Sequence, residues 1–268
     1  MTMDLSDKNY SIVPYNPMDL SGKTVLITGA SSGMGKQTAV TASRLGAKVI
    51  CVARNEAKLQ DTLSLLSGEG HRYYSVDLSE INGIETAVQR IVAENGPIHG
   101  FVHCAGDVVT RPLQMNKYDK MLGSFGAVYF GFTEIVRCLM KHGRFAEGGS
   151  IVAVSSVSTG NVHGRKAKVA YSSARAALEC TARCLASELA DRRIRVNTVQ
   201  AGLVDTEMSA SYLSDNADSE KVREFDTRQL LGKINVEEIA NVFAFLLSDA
   251  TTHITGANIL VDGGYMQG

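Results

Sequence analysis

The chain has 268 residues, with 27 Lys plus Arg against 28 Asp plus Glu and a formal net charge of −1. Hydrophobic residues make up 44% and charged residues 21%, which excludes a disordered tail protein or a collagen-like rod. With no charge excess and no Lys/Arg block, neither nucleic acid nor an anionic membrane is an expected partner.

In chain order, residues 1–20 carry Pro14 and Pro17 and read as an N-terminal surface extension ahead of a single domain over 21–268. Short β-branched runs then alternate with longer helical segments. The predicted strands are Thr24–Thr28, Lys48–Ala53, Arg72–Val76, Gly100–Cys104, Ser150–Ser155, Ile194–Val199 and Ala257–Val261. Most are near-continuous apolar runs, the pattern of strands covered on both faces. The predicted helices are Gly35–Leu45, Glu56–Leu66, Ile81–Glu94, Met115–Lys141, Ala170–Ala190 and Val236–Leu247. Alternation repeated this often implies right-handed crossovers, and hence an α/β fold with a doubly wound, seven-stranded parallel sheet and helices on both faces. The polar stretch 205–230 is long for a loop and follows a strand, so it reads as a substrate lid. Met208, Tyr212 and Leu213, set there among polar residues, suit many molecules.

Five scattered cysteines (Cys51, Cys104, Cys138, Cys180, Cys184) form no CxxC pair and read as free thiols of a reducing cytosol. The start has no basic segment followed by an apolar one, and no run approaches roughly 18 apolar residues, so a cytoplasmic location without a membrane span is expected. The six histidines show no ligand spacing, and no metal is expected.

The first predicted strand runs straight into Thr28-Gly29-Ala30-Ser31-Ser32-Gly33-Met34-Gly35 and then a helix. Glycines supply the backbone angles such a turn needs, and a Cβ would hold a pyrophosphate away from the amides. The helix start adds free N–H groups and a positive dipole end, and Ser31 and Ser32 add hydroxyl donors. Strand, glycine turn and helix together mark a dinucleotide crevice at the carboxyl edge of the sheet.

The spacing TGxxxGxG resembles the short-chain dehydrogenase/reductase family, and the resemblance runs nearly the length of the chain. Further matches follow in order: Asp77 after the third strand, Cys104-Ala105-Gly106 where the family has Asn-Ala-Gly, and Ser155-Ser156 closing the fifth strand. Tyr171 opens a helix, Arg195-Val196-Asn197 falls in the sixth strand, and Asp262-Gly263-Gly264 lies near the end. The resemblance implies a Rossmann-like single domain of the 3-oxoacyl-carrier-protein-reductase-like branch, moving a hydride between a nicotinamide cofactor and a carbonyl or alcohol. It implies that Gly29, Ser31, Ser32, Gly33, Met34 and Gly35 hold the phosphates and that Asp77 and Leu78 face the adenine. Ala105 and Gly106 would let the backbone lie close to the cofactor, with Gly202, Val204 and Thr206 at the nicotinamide end. It also implies a homodimer or homotetramer, paired through the small-residue helix that starts at Tyr171.

The second predicted strand ends Val52-Ala53-Arg54-Asn55. An acidic residue there would accept the adenosine ribose hydroxyls and repel a 2′-phosphate. Ala53 carries no charge and Arg54 is a fork donor suited to phosphate, so NADP(H) is favoured over NAD(H). The alternative reading of Arg54 is an ordinary exposed strand-end arginine.

In the family a Tyr and a Lys four residues later share a helix face, with a Ser from the preceding strand end. Tyr171 matches the acid. Ser156 is the better match for the hydroxyl that holds the substrate oxygen, with Ser158 a rival because the loop to Tyr171 is slightly long. Arg175 stands where the family has Lys; it keeps the charge, but a guanidinium does not release a proton at neutral pH. Phe125 stands where a helix Asn completes the family's proton path, and Ala201 replaces a Pro. Three readings stay open: a carbonyl reductase or alcohol dehydrogenase (EC 1.1.1.-) using Tyr171, Ser156 and Arg175 with another proton route, a different or slower reaction on the same cofactor, or a binding or structural subunit without turnover. Lys166 and Lys168 precede Tyr171 and are candidates for the missing ammonium, although they sit in a loop. His103, replacing a family Asn, is expected to bond neighbouring backbone, and Cys104 to be a packed thiol.

Overall fold

The computed structural model describes residues 16–141, 143–160, 166–214 and 227–267. Most of the 1–20 extension and the middle of the 205–230 lid lie outside the described residues, as does the side chain of Tyr212.

The first strand shows how the apolar runs are used. In β1 (Thr24–Thr28) every residue is buried. Val25 and Ile27 pack with Ala39, Leu59 and Phe243 on one side of the sheet, while Leu26 packs with Ile84, Phe132 and Leu178 on the other. Successive side chains alternate between faces, so a strand covered on both sides needs apolar residues at every position.

The order is β1, α1 (Gly33–Arg44), β2 (Lys48–Ala53), α2 (Glu56–Leu63), β3 (Arg72–Ser75), α3 (Ile81–Asn95), β4 (Ile98–His103) and α4 (Tyr118–Phe125). Then come α5 (Gly131–Leu139), β5 (Phe145–Ser156), the short turn α6 (Val157–Gly160), α7 (Val169–Glu188), β6 (Arg195–Ala201), α8 (Glu207–Ser214), α9 (Val236–Leu247) and β7 (Asn258–Val261). The strands form one seven-stranded sheet in the order β3-β2-β1-β4-β5-β6-β7, every pairing parallel. The chain steps outward from β1 to β3, then returns to the other side of β1 for β4. That reversal opens a crevice at the carboxyl ends of β1 and β4, where Thr28 lies beside His103.

α9 illustrates a locally encoded boundary: Asn235 Oδ1 accepts from the Glu237 amide at 3.1 Å and the Asn235 amide donates to Glu238 Oε2 at 2.8 Å. Two expectations need correction. The helix expected over Met115–Lys141 is broken into α4, a five-residue π-helical stretch over Gly126–Phe130, and α5. Gly131 faces Leu78 so closely that a Cβ would lie 2.9 Å from the Leu78 carbonyl oxygen, and the widened turn accommodates that approach. β5 begins at Phe145 rather than Ser150, because Phe145 pairs with Ile98 ahead of an irregularity between Ile98 and Gly100. Among the described residues no helix is long and apolar enough to cross a membrane.

Candidate active site

At the crevice floor, Gly29 takes φ +67, and a Cβ there would lie 2.8 Å from the Cys104 carbonyl carbon. A Cβ on Gly35 would lie 2.3 Å from the Gly29 oxygen. The end of β4 and the start of α1 therefore close on the turn too tightly for any side chain. Ser32, the N-cap of α1, makes no side-chain cap bond, so the first-turn amides are not taken by their own cap. Gly33 approaches the other wall, where a Cβ would meet the Thr206 methyl at 3.2 Å.

His103 is completely buried at the end of β4. Its Nε2 donates to the Val128 carbonyl at 3.2 Å in the π-helical stretch, which leaves Nδ1 to accept from Thr28 Oγ1 at 2.9 Å. Desolvation first, then the nearby Arg175 charge, pushes the imidazole down to about 3, so it is neutral. Burial likewise pushes the Cys104 thiol up to about 12, against a smaller pull from Arg175, which makes it a poor nucleophile.

Next to this wall an open cleft of about 150 Å³ gathers Ser156, Ser158, Lys168, Tyr171 and Arg175. α7 carries Tyr171, Arg175 and Glu179 at four-residue intervals, hence on one face. Arg175 is 5% exposed; its Nη1 donates to the Val154 carbonyl at 2.6 Å and its Cζ stands 5.5 Å from the Tyr171 ring centre. Its Nε is buried without a hydrogen-bond partner. Ser156 Oγ accepts from the Ser158 amide at 3.2 Å, leaving its own proton to donate. Ser158 Oγ is buried and has no partner.

Met34, Gly106, Gly202, Val204 and Thr206 line the same cleft. Ser31 and Ser32 lie in the glycine turn itself, and Ala105 follows β4 next to it. Arg54, Asp77 and Leu78 lie apart, beyond the ends of β2 and β3. Arg54 Nη1 is 3.9 Å from Asp77 Oδ2, with three-quarters of the arginine side chain exposed. Partial burial pulls the Asp77 carboxyl upward, but the Ser79 hydroxyl and amide and the Arg54 charge outweigh it and hold the group below its ordinary value. Leu78 is 5% exposed and its side chain belongs to the core, so only its backbone is left to meet an adenine. Phe125 packs against the same core with its ring beside Tyr129 and Phe130.

Two polar features at the site were missed in the sequence. Buried Glu179 accepts from the hydroxyls of Ser155 and Thr159, and Thr159 Oγ1 also lies 2.8 Å from the Ser156 carbonyl and receives Gln200 Nε2 at 2.7 Å. The signal was present: Glu179 stands two turns from Tyr171 on the same helix. Gln229 bonds both the amide and the carbonyl of Leu203 at 2.8 and 3.0 Å. Lys168, a candidate for the missing ammonium from the loop before α7, is buried in the cleft.

The whole described domain has counterparts. A family model described as enoyl-(acyl carrier protein) reductase matches residues 29–266. L-xylulose reductase of Caenorhabditis elegans is 31% identical over 92% of this chain and 97% of its own length. The 3-oxoacyl-[acyl-carrier-protein] reductase of Escherichia coli is 32% identical over 92% and 98%. The crystal structure of a blue fluorescent protein from a metagenomic library, in complex with NADPH, superposes with a TM-score of 0.82 at 25% identity, covering 92% of this chain and 99% of that one. The family model and these relatives span most of the chain, and the chain belongs to the short-chain dehydrogenase/reductase family.

Proposed function

We propose that this protein is an NADP(H)-dependent oxidoreductase that interconverts a small-molecule carbonyl and its alcohol, working in the cytoplasm as a homodimer or homotetramer. The observation that carries the reading is the convergence of Tyr171, Ser156 and Arg175 in one cleft that opens beside the glycine turn. The chain fits the cofactor. Gly29 and Gly35 leave no room for side chains, the first-turn amides of α1 are uncapped, and Arg175 Nε is a buried donor in need of an acceptor such as a ribose hydroxyl.

When bound, the nicotinamide supplies the hydride. The Tyr171 hydroxyl gives its proton to the carbonyl oxygen, and Ser156, already accepting from the Ser158 amide, directs its own O–H at the same atom. Ser156 Oγ is positioned by the Ser158 amide, whereas Ser158 Oγ is buried with no hydrogen bond to orient it, which favours Ser156. Arg175 holds the ribose side and keeps positive charge beside the tyrosine ring. Apolar walls from Met34, Val108, Leu203 and Met208 limit water at the reacting carbon. Arg54, exposed next to uncharged Ala53, supports the 2′-phosphate preference. Relatives named for a sugar and for an acyl carrier protein share this scaffold, so the lid over 205–230 sets the substrate. The exposed small residues Ser173, Ala176, Cys180 and Ser187 along α7 support pairing with a second copy.

Calorimetric titration with NADPH, followed by NADPH oxidation over a panel of ketones and aldehydes, tests the reading. Binding is expected, with turnover that Tyr171→Phe lowers by about 10²–10⁴-fold while leaving NADPH affinity within about threefold. Binding without any turnover would assign the protein to a non-catalytic role, and absence of binding would overturn the proposal.

A further inference from the structure

We propose that Lys168 returns a proton to Tyr171 after each carbonyl reduction, taking the part that Arg175 cannot play. The inference rests on the reductase reading above.

Lys168 ends the loop before α7, at its N-cap position. It is 8% exposed, lines the cleft, and holds Nζ 5.3 Å from the centre of the Tyr171 ring. Lysine is rarely buried to this extent, and an ammonium over an aromatic face favours electron density on that ring. The backbone is set for this placement. Ala167 takes φ +62, a left-handed conformation that residues other than glycine seldom adopt, and its carbonyl is fixed by the Arg111 amide at 2.7 Å. The turn sends the next side chain into the cleft while Lys166 and Val169 stay exposed.

The step balances. The Tyr171 O–H bond breaks and its proton goes to the carbonyl oxygen, while the electron pair arrives with hydride at the carbonyl carbon. The phenolate left behind takes a proton from the Lys168 ammonium, directly or across one water, and the neutral amine recovers a proton from solvent. Two other groups lining the cleft are unsuited: Arg175 holds its proton, and burial pushes the Cys104 thiol up to about 12. Lysine carries three exchangeable protons and deprotonates reversibly.

Three variants test this. Lys168→Met is expected to lower kcat by about tenfold to a hundredfold with KM and NADPH affinity changed less than about threefold. Lys168→Arg keeps the charge without a releasable proton, and should lose kcat as the Met variant does. Lys168→Ala should regain turnover with added methylamine but not with ethanol, a rescue that a purely structural lysine would not show. A readout without turnover uses the near-ultraviolet tyrosinate absorbance of residue 171, taken as wild type minus Tyr171→Phe in the cofactor-free protein. It should require a higher pH in Lys168→Met than in the wild type or in Lys168→Arg. Unchanged kcat in Lys168→Met, no amine rescue, or an unmoved tyrosinate signal would each overturn the inference. A wild type that binds NADPH yet reduces nothing would sink the reductase reading instead, and the absorbance comparison would still decide whether Lys168 acts on Tyr171.

Discussion

The glycine turn between β1 and α1 and the reactive edge formed by β5 and α7 face the same crevice, but they tolerate change differently. On the turn side backbone atoms do the holding, and space decides the residues: a Cβ on Gly35 has nowhere to go. Every glycine of the TGxxxGxG spacing is kept there. On the reactive side the function resides in side chains, and side chains can be exchanged. In the proposed site Arg175 stands where the resemblance places lysine and Phe125 where it places an amide, while Lys168 is buried from the loop before the helix. A backbone site is tied to its positions in the chain, whereas a charge or a proton source can be delivered to one point from several positions.

The largest effect should come from putting a methyl group where backbone already sits. Gly35→Ala is expected to cost about 3 kcal/mol or more of stability and to abolish NADPH binding, read by denaturant midpoint and calorimetry; an undisturbed variant would break the contrast. Next is the seam between the two sides. His103 is neutral in the fold with its titration near 3, whereas an unfolded imidazole titrates near about 6.5. Below that upper value the unfolded chain binds the extra proton. Stability conferred by the neutral ring is therefore present above it and is lost as the pH falls toward 3, at up to about 1.4 kcal/mol per pH unit. His103→Asn should flatten that slope in denaturation curves taken between neutrality and pH 4.

A smaller effect is expected at the exposed end of the cofactor side. Arg54→Gln should weaken NADPH by about tenfold, or about 1.4 kcal/mol, and leave NADH unchanged; equal losses for both cofactors would mean that the residue does not discriminate. The smallest belongs to the ion pair between Lys58 on α2 and Glu207 on α8, 2.9 Å long and well exposed. Such pairs contribute little, so Lys58→Met should leave the thermal midpoint within experimental error.

Much of the scaffold was legible. β1, β2 and α9 were read to the residue, because each is a dense apolar run with a clear start: Lys23 just before β1, Lys48 opening β2, and a capping Asn235 before α9. The early part of β5 was missed because Glu147, Gly148 and Gly149 read as a loop. Yet a Cβ on Gly149 would lie 2.7 Å from the His99 carbonyl oxygen, so the glycine is there for the neighbouring strand's approach. The break between α4 and α5 was hidden because apolar spacing continues through Gly126–Phe130, and nothing local announces a widened turn. Of the candidate residues, Ser156, Tyr171 and Arg175, singled out through spacing along the chain, line one cleft in the fold. The burial of Lys168 and the Glu179 network were not legible in the sequence, since each depends on elements far apart along it.

The amino-acid order by itself determined the alternation of strand and helix, the position of the phosphate turn and the tyrosine helix, since these follow from periodicity and from glycine's missing Cβ over a few neighbouring residues. Only the tertiary structure decided that both Lys168 and Arg175 stand over the Tyr171 ring, that Ser156 Oγ accepts from the Ser158 amide, and that His103 is neutral. Those properties depend on burial and on partners from β4, β5, the loop before α7 and α7 itself, which meet only when the sheet is assembled.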